Sequence, residues 1–252
     1  MHQGGWAVPQ HLIIFTAMAL PYFFAEDVSA DIIQLAEDTS KHVVQVLRMQ
    51  VGDGLLLTDG KGTKATCNIT DAHRKRATVQ VTERIIEAAP ERKVVIAVSL
   101  LKNSSRFEWF LEKATELGVQ EIIPLLCTRT ESEKFRPDRM QQILISAMLQ
   151  SQQFWLPHLH PPTKLADVLH LPIEQKLIAH CEPDHKEQLS SVNNYPSSTL
   201  MLIGPEGDFT PDEIKAALEA GCRPVALGNT RLRTETAALV AATLLVNTPL
   251  RQ

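Results

Sequence analysis

The chain has 252 residues, of which 44% are hydrophobic and 21% charged, with four cysteines and a formal net charge of −4. That balance describes a globular protein long enough for one large or two ordinary domains. The mild acidity excludes a general polyanion binder, so any nucleic-acid contact must come from local basic patches.

Leu12 to Leu20 is apolar, but it is too short to span a bilayer and no Lys or Arg precedes it, so it is neither anchor nor export signal. From Pro21 to about Pro90 the pattern is that of a small β-rich domain. Ser40 is placed to cap a helix through Val43, Val44, Val46 and Leu47, after which Val51-Gly52-Asp53-Gly54 turns into the strand Leu55-Leu56-Leu57. Asp59-Gly60-Lys61-Gly62 is turn chemistry for a hairpin returning along Thr63 to Thr70, and Thr78 to Glu83 supplies another strand. His73-Arg74-Lys75-Arg76, with Arg48, Lys61 and Lys64 as neighbours, is the basic patch of this domain. It reads either as a solvated turn or as a phosphate contact, and no aromatic is interleaved for base stacking.

The charged Glu91-Arg92-Lys93 marks a shift in composition, and an α/β alternation begins at Val94. Val94 to Val98 is a buried-strand run, Phe107 to Leu117 a helix stopped by Gly118, Ile122 to Leu126 a strand, about Pro137 to Gln152 a helix, and Leu177 to His180 a further strand. Such alternation predicts a parallel sheet covered on both faces, with Lys102, Arg106 and Arg129 all following strands and so sharing one sheet end. His180-Cys181-Glu182 has no partner at ligand spacing, and Cys67, Cys127, Cys181 and Cys222 are widely separated. No metal site and no disulfide frame is expected, and a reducing compartment fits.

Two strand-loop-helix units close the chain. Thr199 to Ile203 reads as a buried strand leading into Gly204-Pro205-Glu206-Gly207-Asp208-Phe209. Thr210, Pro211 and Glu213 then carry the signature of a capped helix start. That helix stops at Gly221; Arg223 to Leu227 is a short strand, Gly228 to Thr236 a loop, and Ala237 to Val246 a helix apolar on every side and expected to be buried. Both loops fall at the sheet end where open α/β folds bind ligands. Gly204, Gly207 and Gly228 let backbone groups approach a flat ring, though singly each also reads as a turn residue. No G-x-G-x-x-G or G-x-x-x-x-G-K-[ST] is present, which disfavours a dinucleotide or ATP. Arg233 places a cation at a helix N-terminus, against the dipole preference, which suggests a role other than stability.

The pair Ile203-Gly204-Pro205-Glu206-Gly207 and Leu227-Gly228, followed by Leu232-Arg233-Thr234-Glu235-Thr236-Ala237, resembles the signature loops of the RsmE family. That family comprises uridine-N3 methyltransferases of small-subunit ribosomal RNA and belongs to the SPOUT class. His42 to Arg48 with Val51-Gly52-Asp53 is similar to the entry of the PUA-like barrel of that family. The resemblance implies an α/β fold, with a PUA-like β-barrel for RNA over 18–90 and a SPOUT domain with a C-terminal trefoil knot over 91–252. Residues 1–17 then precede the resemblance as an N-terminal extension of the kind an upstream start creates, and no function is built on them. It implies a cytoplasmic homodimer acting on small-subunit ribosomal RNA or the assembled subunit, without metal or membrane. S-adenosyl-L-methionine would be held by Ile203, Gly204, Pro205, Glu206, Gly207, Leu227, Gly228, Leu232 and Thr234. Arg233 would be catalytic, Arg48, Lys102, Arg106 and Arg129 would contact RNA, and Glu206 or Glu235 would be the candidate proton acceptors. The chain departs from the family pattern at Asp208, where a glycine is usual, near Gln153, where an arginine is usual, and at Thr230-Arg231. A non-catalytic ribosome-assembly factor of the same fold is the alternative.

Overall fold

The computed structural model describes residues 20–183, 186–192 and 196–248; the expected extension over 1–17 lies outside them. The first unit comprises β1 (Tyr22–Phe24), β2 (Ile32–Gln34), α1 (Glu37–Lys41), a π-helical turn (His42–Val46), β3 (Gly54–Thr58), β4 (Thr63–Asp71) and β5 (Thr78–Ile86). They form one sheet in the order β1-β3-β4-β5-β2, antiparallel except for the β1–β3 pair. Leu55, Leu57, Ala65, Cys67, Ile69 and Val79 alternate inward to make its core.

The hairpin over 59–62 forms as its residues predict. Asp59 Oδ1 accepts the N–H of Lys61 at 2.8 Å and of Thr63 at 3.2 Å, and Gly60 and Gly62 stand at φ of 68° and 94°. Ser40 is a correction to the expected cap. It lies inside α1 and is fully buried, its hydroxyl donating to Leu35 O at 3.2 Å and accepting the Ala77 N–H at 3.0 Å. A buried hydroxyl needs a partner, and here the partners stitch helix to sheet.

The second unit contains β6 (Lys93–Ser99), α2 (Ser104–Leu117), β7 (Glu121–Leu126), α3 (Pro137–Gln150), β8 (His158–Leu159), β9 (Thr163–Lys164), α4 (Leu165–Leu169) and β10 (Gln175–Ala179). There follow β11 (Glu187–Gln188), a 3₁₀ turn (Leu189–Ser191), β12 (Ser198–Ile203), α5 (Pro211–Glu219), β13 (Arg223–Ala226) and α6 (Thr234–Asn247). The sheet runs β11-β13-β10-β12-β6-β7-β8, with β9 also on β7, and each of these pairs is parallel. Val94, Ile96 and Val98 pack under α2, α3 and α6, whereas Val95 and Ala97 pack with Val168 of α4 and with Ile214 and Ala217 of α5. Burial on both faces is why these strands are continuous apolar runs rather than alternating ones.

The expected full burial of the last helix is only partly met. Ala238, Ala241, Ala242 and Leu245 are buried, but Leu239, Val240 and Leu244 are half-covered and Thr243 and Asn247 are exposed. One face packs on α2 and β6, and the opposite strip reaches the surface of the single chain.

The two units are joined by the segment after α3. Gly62 N–H donates to Phe154 O at 2.9 Å and Leu156 N–H to Gly60 O at 2.8 Å, Lys64 Nζ stands 4.3 Å over the Phe154 ring, and Tyr22 OH donates to Gln153 O at 3.0 Å.

Candidate functional site

The sheet delivers the loops after β6, β7, β10, β12 and β13 to one edge, as parallel strands must. A cavity of about 800 Å³ opens there, within the range of small-molecule sites. Apolar walls come from Ala179, Ile203, Val225, Leu227 and Leu232, and polar ones from Glu206, Asp208, Lys186, Arg231 and Arg233.

The loop over 204–209 is held from three sides. Phe209 is buried, and a Cβ on Gly204 would stand 3.0 Å from its ring and 3.1 Å from its backbone nitrogen, so the loop is packed tightly against this glycine. Arg129 donates from one guanidinium nitrogen to Gly207 O at 2.7 Å and Phe209 O at 3.3 Å. Asp208, at φ of 64°, accepts the Cys181 N–H at 2.7 Å and the Phe209 N–H at 2.8 Å, tying the loop to the end of β10.

The helix start that follows is the capping box expected from Thr210 and Glu213. Glu213 does more than cap. One carboxylate oxygen accepts from Thr210 N–H and Oγ1 at 2.8 and 3.1 Å. The other accepts from Thr128 N–H and Oγ1 at 2.7 and 3.0 Å. Partial burial pushes this carboxyl up, but the hydrogen bonds outweigh it and hold Glu213 below the ordinary value.

The second loop is open in the sense a ligand needs. Gly228 has a φ of 143°, and a Cβ there would meet nothing within 4 Å. The loop feeds α6, whose first turn leaves backbone N–H groups without helical partners beside the cavity. Arg233 is the N-cap residue of α6; its exposed side chain makes no capping bond and faces the cavity.

Of the nine residues expected to hold a cofactor, Ile203, Gly204, Pro205, Glu206, Leu227, Gly228, Leu232 and Thr234 line the cavity. Gly207 does not, and lies instead against the Arg129 side chain. Glu206 is on the wall, whereas Glu235 is buried behind it, 3.6 Å from Arg106 Nε. Lys102 pairs with Glu131 at 2.8 Å, which raises its pKa. Lys102, Arg106 and Arg129 do share the sheet end with the cavity, whereas Arg48 is exposed on the first unit, at φ of 57° after the π-helical turn.

Gln153 lies away from the cavity. Its Nε2 donates to Thr115 O at 2.8 Å and Glu116 O at 2.9 Å, satisfying carbonyls at the C-terminal end of α2. Sequence reasoning missed Ala179, Cys181, Lys186, Asn229 and Arg231 as lining residues. The signal for the first two was available, since the strand ending at His180 had to deliver its loop to the same edge.

The RNA methyltransferase domain family matches residues 88–246, and the RNA methyltransferase PUA domain family matches residues 35–82. A crystal structure of a probable rRNA-methyltransferase from Porphyromonas gingivalis superposes with a TM-score of 0.84 and 38% identity, covering 90% of this chain and 97% of that one. A ribosomal RNA small subunit methyltransferase E from Neisseria gonorrhoeae, crystallised with S-adenosyl methionine, gives a TM-score of 0.79 and 29% identity over 90% and 96%. The protein of the same name from Rickettsia conorii is 29% identical over 217 residues, 83% of this chain and 87% of that protein.

Proposed function

The chain belongs to the RNA methyltransferase family whose bacterial members are named ribosomal RNA small subunit methyltransferase E, and from that premise we propose that it moves a methyl group from S-adenosyl-L-methionine to N3 of a uridine in small-subunit ribosomal RNA. The observation that carries this is the cavity bounded by the loops over 204–209 and 227–233, with Arg233 at its wall free of a capping bond.

The residues present fit that cofactor. The apolar walls suit the adenine and ribose faces, the Cβ-free Gly228 leaves backbone open to a ring edge, and the acidic and basic side chains suit a cationic sulfonium and a zwitterionic amino-acid end. When bound, S-adenosyl-L-methionine supplies an electrophilic methyl group on sulfur.

The protein then has to hold the uracil in line with that methyl group, and positioning of this kind is the largest source of rate for a direct displacement. Uracil N3 is a weak nucleophile while protonated. The guanidinium of Arg233 stabilises the negative charge that spreads onto the flanking carbonyl oxygens as the proton leaves. Glu206, exposed on the wall, is better placed to accept that proton than Glu235, which is turned to Arg106.

Exposed Arg48 on the PUA unit, and Lys102, Arg106 and Arg129 at the sheet edge, are the proposed RNA contacts. The half-covered apolar strip of α6 suits the homodimer of the class, and the return of α6 onto β6 after β13 has paired beyond β10 is in keeping with its trefoil knot. An rRNA substrate supports a cytoplasmic activity; among the described residues no helix is long and apolar enough to cross a membrane. The test is transfer of radiolabelled methyl to isolated small subunits with the modified nucleotide mapped by nuclease digestion; label on another base, or on protein, refutes the substrate.

A further inference from the structure

We propose that Asp208 makes the cavity selective for a ligand bearing a cationic sulfonium over the same ligand as an uncharged thioether. This deepens the cofactor assignment above and rests on it.

Asp208 lines the cavity, and both of its carboxylate oxygens are fixed by backbone donors, Cys181 N–H at 2.7 Å and Phe209 N–H at 2.8 Å. The negative charge therefore cannot swing away into solvent. Lys102 is engaged with Glu131, Arg106 with Glu235, and Arg129 with the carbonyls of Gly207 and Phe209, while Lys186, Arg231 and Arg233 border the same cavity. No ion pair to Asp208 forms among the described residues. A half-buried carboxylate without a cationic partner projects its field into the space it borders.

The field is felt by a neighbour. Burial, and after it the charge of Asp208, pushes the Cys181 thiol above its usual value against the smaller opposing pull of Arg231 and Lys186. The backbone does not ask for this residue, because φ of 64° is a conformation that glycine adopts more easily. What holds an aspartate there is the pair of side-chain hydrogen bonds, so the strained residue keeps its charge at one spot on the wall. Glu206 borders the same cavity, but it is exposed and within electrostatic reach of Lys102, so solvent and that ammonium screen it.

The experiment is calorimetric titration of the full chain with S-adenosyl-L-methionine and with S-adenosylhomocysteine, which differ by the sulfonium charge. Asp208→Asn keeps the size and tolerates φ above zero. Its dissociation constant for the sulfonium form should rise about tenfold, the scale of one charge pair in a partly wet site, while that for the thioether changes less than about twofold. Asp208→Gly, which relieves the backbone, should shift the ratio in the same sense and serves if the Asn variant folds poorly.

Equal weakening of both ligands in the Asp208 variants would make the residue a structural wall only, and unchanged binding of both would give it no role; either overturns the proposal. A wild-type chain that binds neither ligand overturns the cofactor assignment itself, and that result is seen before any variant is made.

Discussion

Replacing Glu213 by Ala should loosen two loops at once, because its carboxylate is the only group that bonds to both Thr128 and Thr210 among the described residues. Loss of the capping box is worth about 1 kcal/mol. The charge-assisted bonds to Thr128 add roughly another 1–2 kcal/mol, at the low end for such bonds because water can reach the exposed Thr128. The sum of about 2–3 kcal/mol corresponds to a fall in melting temperature of roughly 4–12 °C for a chain of this size. Glu213→Gln should fall nearly as far, since one amide NH₂ must then face the N–H of either Thr128 or Thr210. Calorimetric melts read the stability, and cofactor titration reads the loosened loop over 204–209. Acid supplies an internal check. The folded Glu213 titrates below its ordinary 4.5, so its contribution is complete above that pH and is lost as pH falls through the folded value. The gap between wild type and Glu213→Ala should be constant near neutrality and close in acid. An Ala variant that melts within about 1 °C of wild type near neutral pH, or a gap that stays open in acid, would refute this account.

Gly62→Ala should undo the junction between the units, since a Cβ there would stand 2.5 Å from Trp155 Cζ2 and 2.8 Å from Glu87 O at φ of 94°; about 2–4 kcal/mol is expected from overpacking and backbone strain together, read by melting and by proteolysis at the junction, with cofactor affinity unchanged. Arg48→Gly should raise stability by up to about 1 kcal/mol by relieving φ of 57° after the π-helical turn, yet weaken RNA binding in a filter assay if that strained arginine is retained for the substrate. Arg233→Ala should leave melting temperature and cofactor affinity nearly intact, because its side chain makes no capping bond, while single-turnover methylation falls about a hundredfold or more. Arg233→Lys should not restore it, since an ammonium cannot present a planar fork to two acceptors; wild-type turnover in the Ala variant would end the catalytic assignment.

What could be read from sequence was what is set within a few residues or by a sheet. The capping box of Thr210 and Glu213 is local chemistry, and so is the turn over 59–62 with its two glycines at positive φ. The continuous apolar strands follow from burial on both faces, which alternation of strands and helices already required. Tertiary contacts were not legible in this way. Ser40 has the residue type of a cap but a fully buried site, and its partner Ala77 is 37 residues away. Gln153 replaces a charge expected for RNA and instead completes the end of α2, 38 residues back. The glycine usual at position 208 hinted at its positive φ, but the bond to Cys181, 27 residues earlier, that ties an aspartate there had no sign in sequence. In each case a short polar side chain found a distant backbone group, a choice that local propensity does not encode.

The same long-range bonding changes how the charged residues around the cavity should be understood. Lys102, Arg106 and Arg129 stand where sheet topology predicts, yet each is already bonded to the protein: Lys102 to Glu131, Arg106 to buried Glu235, and Arg129 to the loop that walls the cavity. Arg106 is the least available, because drawing it away would leave a carboxylate uncompensated in a buried site. Arg129 is different. It donates to the two loop carbonyls through one guanidinium nitrogen, and the exposed remainder of the fork can meet a phosphate without breaking those bonds. A phosphate held there would be joined through one rigid group to the carbonyls of Gly207 and Phe209, on either side of Asp208. Substrate and cofactor would then press on the same short loop, and a change in the hold of one would be transmitted to the other through named hydrogen bonds rather than through the bulk of the domain.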